Sequence, residues 1–124
     1  MEDPLVDLAD ELIAEGVREF ISENVDSFIT WELMVFLHGN PEFMGNILDL
    51  AAALGRDEKD VLKVVLFNVE RGFLVAEHKA GEPFYWFTND PELRRRIAQA
   101  VEAAQDSNVR LRVIAHILRK SGSR

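Results

Sequence analysis

The 124-residue sequence predicts a mainly α-helical chain with one small β-hairpin, and three observations predict it. Apolar residues recur at spacings of three and four through most of the chain, the period of a helix with one buried face. Gly39-Asn40-Pro41, Gly55 and Gly72 cut that pattern into short pieces, because glycine and proline favour helix ends over helix interiors. Between Phe73 and Thr88 the helical pattern gives way to two short β-prone runs around Lys79-Ala80-Gly81-Glu82, as a hairpin requires.

Each element follows in order. Leu5, Leu8, Ala9, Leu12, Ile13, Val17, Phe20 and Ile21 mark one face of a helix over residues 4–23, with Pro4 in its first turn and Asp7, Asp10, Glu11, Glu15 and Glu19 as an acidic ridge outside. A second helix over residues 30–38 takes Thr30 as its cap and buries Trp31, Met34, Val35 and Leu37. Phe43-Met44-Gly45 is a brief extended segment. Asn46 then caps a helix that ends at Gly55, with Ile47, Leu50, Ala51 and Leu54 inward. Asp57 caps the next, with Asp60 at the capping-box position, and this helix ends before Gly72.

Phe73 to His78 and Pro83 to Thr88 are the hairpin strands, and Pro83 stands at a strand start, where it removes least. Asn89 or Asp90 caps a helix with Pro91 in its first turn and Leu93, Ile97, Ala100, Val101 and Ala104 inward. Asp106-Ser107-Asn108 interrupts the pattern, a last helix from about Val109 to Lys120 buries Val113, Ile114, Ile117 and Leu118, and residues 121–124 form a frayed tail.

Length and composition bound the rest. One domain over residues 1–124 is expected, with helices over 4–23 and 91–120 around a core at 30–88, since the chain is too short for two independent cores. The absence of cysteine excludes disulfides, a thiol nucleophile and thiolate metal sites. The acidic start lacks the basic residues of a secretory signal, and no apolar run is long enough to span a membrane; a cytoplasmic location is expected, without membrane association. His38, His78 and His116 stand apart, no phosphate loop, serine elbow or carboxylate pair assembles, and so neither an enzyme, a cofactor nor a metal is expected. The formal charge of -8 is uneven. Residues 1–60 hold 15 acids against Arg18, Arg56 and Lys59, whereas residues 61–124 hold 11 bases against 7 acids. Such a split suits pairing between the halves, within one chain or across a dimer; solvated helix faces are the plain alternative.

The order helix, helix, short strand, helix, helix, hairpin, helix, helix resembles the winged helix-turn-helix regulators of the MarR and ArsR types. Leu54-Gly55, followed by Gly72-Phe73-Leu74, is similar to their helix-turn-helix spacing, and Phe87-Thr88-Asn89-Asp90-Pro91 to the exit of their wing. The resemblance implies a homodimer built by the first and last two helices, with Leu5, Leu12, Val101, Ile114 and Leu118 at its interface. It also implies that double-stranded DNA is bound by the second helix of the motif and the wing, through Arg56, Lys59, Lys63, His78 and Lys79. Those bases are set among Glu58, Asp60, Glu77 and Glu82, and the acidic-x-basic wing signature of the MarR type is missing. Leu62 and Leu66 occupy positions that the motif turns outward, so the alternative is a protein-interaction module with weakened or lost DNA binding. Phe84 to Phe87 should send one aromatic pair inward and one outward; the outer pair suits packing, or stacking on unpaired bases. Arg94-Arg95-Arg96 is the one basic cluster, suited to an ion-pair face, to DNA backbone or to an acidic partner helix.

Overall fold

Six helices and three short strands follow one another in the computed structural model, which describes residues 4–122, with side chains from residue 14 to residue 121. The elements are α1 (Pro4–Asn24), α2 (Phe28–Gly39), β1 (Met44–Gly45), α3 (Ile47–Leu54), α4 (Glu58–Glu70), β2 (Leu74–Lys79), β3 (Glu82–Phe87), α5 (Pro91–Ala103) and α6 (Ser107–Gly122). The chain divides into two compact units, Ile29–Arg95 and a second made of Met1–Phe28 with Arg96–Arg124.

The unit Ile29–Arg95 is a winged helix-turn-helix. Its helix-turn-helix is α3 and α4, joined at Gly55, whose left-handed backbone (φ 65°) lets its N–H reach the carbonyls of Ala51 and Ala52. Asn46 caps α3 through the amide of Asp49, and Asp49 returns the bond to the Asn46 N–H, closing a capping box. Asp57 caps α4 through Lys59 N–H, one residue short of the position a box with Asp60 needs, so the expected box is absent there and present one helix earlier. Helix α2 begins at Phe28 and not at Thr30, which lies buried inside it. On α2 the inward residues are Leu33, Met34 and Leu37, while Val35, expected inside, is exposed.

Antiparallel strands in the order β1-β3-β2 form the sheet. Register runs from Leu74↔Phe87 to Lys79↔Glu82, so the wing turn is only two residues, Ala80-Gly81, both at positive φ (54° and 81°). That is the mirror-image turn whose twist matches a hairpin. Alternation along β3 buries Tyr85 and Phe87 and leaves Phe84 and Trp86 half-buried on the other face, as the sequence predicts. Gly45 pairs with Tyr85 and has no room for a side chain, since a Cβ would lie 2.7 Å from Phe43 Cζ and 2.8 Å from Asp49 Oδ2.

In the other unit, Val17, Phe20 and Ile21 of α1, Ile97 and Ala100 of α5, and Val113 and Ile117 of α6 are buried. His116 shares a hydrogen bond of 2.8 Å with the Val25 carbonyl just past α1. Ile114 and Leu118 are exposed, against the expectation that α6 buries them. The helix has one inward row, Val113 and Ile117, and residues 114 and 118 lie about 100° further round from these.

Candidate nucleic-acid interface

The outer face of α4 is set by which residues its neighbours bury. Val61, Val65 and Asn68 are inward, and Asn68, with no water to bond, donates its side-chain N–H to the Val64 carbonyl at 2.7 Å. Lys59 and Lys63 therefore project outward one turn apart, and beside them Leu62 and Leu66 are 39% and 53% exposed. The face is neither a uniform basic strip nor an apolar groove; it interleaves two ammonium groups with two leucines.

Around it the sequence-predicted bases are treated unequally. Arg56, in the turn between α3 and α4, donates from Nε and Nη2 to both carboxylate oxygens of Glu32 on α2, at 3.0 and 2.6 Å. The hydrogen bond to Glu32, then the charge of Glu32 and that of Asp60, raise the pKa of this guanidinium above its ordinary value. On the wing, Lys79 ends β2 with its Nζ 3.4 Å from Met44 Sδ, and His78 is exposed opposite Pro83. Glu82, across the turn, accepts at 2.7 Å from the side-chain amide of Asn46, the cap of α3. The unit Ile29–Arg95 holds 11 acids against 7 bases.

Arg94, Arg95 and Arg96 do not act as one cluster. Successive helical residues point about 100° apart, and each arginine finds a different partner. Arg94 donates to the carbonyls of Thr88 and Pro41 and stacks 4.7 Å over the Phe87 ring. Arg95 forms a fork with Glu92 on its own helix, which raises its pKa, and Arg96 covers Phe20 at 5.2 Å.

Of the predicted interface residues, the side chains of Leu5 and Leu12 lie outside the described residues, and Val101 is half-buried. Ile114 and Leu118 form with Leu111 an outward row at 36%, 57% and 63% exposure. Spacing of three and then four is that of a helix-pairing seam. Beside α6 runs a cleft of about 810 Å³, floored by Val17, Ile21 and Val113 and rimmed by Arg18, Arg112 and Arg119. Among the described residues no cluster of His, Asp or Glu is arranged to hold a metal ion, and no helix is long and apolar enough to cross a membrane.

Fold and site together define a winged helix-turn-helix protein whose exposed motif helix carries lysines and leucines. No family profile matches the sequence, and no curated protein does. Among solved structures, the crystal structure of the adhesin competence repressor (AdcR) from Streptococcus pyogenes is similar. It is 21% identical, with 95% of this chain and 84% of that chain covered and a TM-score of 0.47.

Proposed function

We propose that this chain is a non-catalytic, cytoplasmic DNA-binding regulator that acts as a homodimer, with α4 as the helix that enters the major groove. The observation that carries the reading is the pair Lys59 and Lys63, exposed one turn apart on the outer face of α4. Lys79 and His78 of the wing and Arg56 of the motif turn complete the set. Five bases in each protomer give a dimer up to about ten phosphate contacts, enough for binding that falls steeply with salt. Dimerisation is supported by the outward row Leu111, Ile114 and Leu118, which stands exposed on α6.

Anisotropy of a labelled duplex of mixed sequence, followed as salt rises from about 25 to about 200 mM, tests the reading. Binding that weakens by at least about 10,000-fold over this range in the wild type, and is abolished by Lys63→Glu, is the expected result. No binding at the lowest salt would overturn it. A second reading is favoured by the exposure of Leu62 and Leu66 on the same face: a protein-interaction module, in which case Leu66→Asp removes a co-purifying partner while DNA is ignored throughout.

A further inference from the structure

We infer that the chain carries its own competitors for phosphate at the helix-turn-helix: the Glu32 carboxylate on Arg56, with the Glu82 carboxylate on Asn46. The inference rests on the DNA-binding reading and deepens it by naming what limits that site.

Arg56 and Asn46 stand at the two ends of α3. The first helix of such a motif crosses the DNA backbone, and its ends are where phosphates would be met. Each of the two side chains already donates to a carboxylate. Glu32 receives both Nε and Nη2 of Arg56, in the planar two-point geometry by which a guanidinium grips a phosphate. Glu82 receives the Asn46 amide, and Asn46 N–H goes to Asp49, so the cap of α3 presents two satisfied donors beside two carboxylates. Neither acid belongs to the motif: Glu32 comes from α2 and Glu82 from the wing, 24 and 36 residues away in sequence from their partners.

The Arg56–Glu32 pair is open to water, with 41% and 36% of the two side chains exposed. Pairs of this kind are held weakly and exchange with solvent. Phosphate can therefore displace Glu32, but must do so against a local carboxylate that stays tethered nearby after it has let go. The result is attenuation, not a lock: weak, readily reversed binding that tightens when the acids are neutralised.

Glu32→Gln and Glu82→Gln keep side-chain shape and a hydrogen-bonding oxygen while removing the charge. By the same anisotropy titration, Glu32→Gln should tighten binding about two- to fivefold per site. It should also steepen the slope of log affinity against log salt by about 0.9 for each phosphate contact that Arg56 gains. Glu82→Gln should tighten binding by a similar factor without the steeper slope, since the amide of Asn46 carries no charge. The gain of Glu32→Gln should vanish when Arg56→Gln is added, and Glu70→Gln, at the far end of α4, should leave the slope unchanged. If the wild type binds DNA and Glu32→Gln matches it in affinity and slope, or keeps its gain without Arg56, the inference is wrong and the DNA-binding reading survives. If no variant binds at low salt, both fail.

Discussion

Arg94 is the residue on which the wing exit depends. Its guanidinium satisfies two carbonyls that belong to separate loops, Thr88 after β3 and Pro41 before β1, and covers the Phe87 face as well. Truncation leaves the partly buried Thr88 carbonyl without its donor and uncovers the Phe87 ring, so Arg94→Ala should lower stability by about 1–3 kcal/mol in a denaturant titration. Arg94→Lys should recover less than half of that, because a single ammonium cannot serve two divergent acceptors and stack at once. Recovery to wild-type stability with lysine would show that charge alone matters. The sequence made this residue look like the first of three equivalent cations. What it hid was direction: adjacent residues on a helix face different neighbours, and the neighbours of Arg94 lie 6 and 53 residues away. Glu32 on Arg56 was illegible for the same reason, since nothing local in the sequence marks a partner 24 residues distant.

At the scale of elements the sequence was far more legible, because caps and turns are local. Asn46, Gly55, Asp57 and the hairpin were readable from residue type alone, and each stands where its chemistry puts it. The exceptions are equally physical. Val35, Ile114 and Leu118 are apolar, and periodicity assigns apolar residues to a core without knowing whether any surface is there to receive them. Residue types alone suggest a four-residue wing turn, whereas pairing continues through Lys79 and Glu82 and leaves Ala80-Gly81 alone at the tip. Ala80 pays for that tightness with a left-handed backbone (φ 54°) that a β-carbon resists. Ala80→Asn should therefore stabilise the protein by about 0.5–1 kcal/mol, as asparagine tolerates this conformation and suits the first position of such a turn. The check is a higher denaturant midpoint at unchanged slope; a lower midpoint would mean that the tip has relaxed out of the mirror-image turn.

Charge orders the molecule as a whole. Helix α1 carries six acids against Arg18, whereas α6 carries Arg110, Arg112, Arg119 and Lys120 and no acid. Both belong to the same unit, and the outward apolar row of α6 is flanked by its cations. In the proposed dimer a second copy would bring the complement of each: basic α6 toward acidic α1, with Leu111, Ile114 and Leu118 at the seam. Two-fold symmetry would then use every such contact twice. Sedimentation should find a dimer at about 10 μM, and Leu118→Asp should weaken it at least about 30-fold, the effect of losing one central anchor near 2 kcal/mol. Leu118 is 57% exposed, so the substitution leaves the unit folded. Salt separates the two contributions: if α1–α6 charge pairing holds the dimer, it loosens between about 0.05 and 0.5 M, whereas an apolar seam persists or tightens. Leu66→Asp, on the α4 face, should leave sedimentation unchanged. A monomer at this concentration would remove the interface altogether, whereas a dimer indifferent to Leu118→Asp and broken by Leu66→Asp would move it from the outer helices to the motif itself and remove α4 from the DNA.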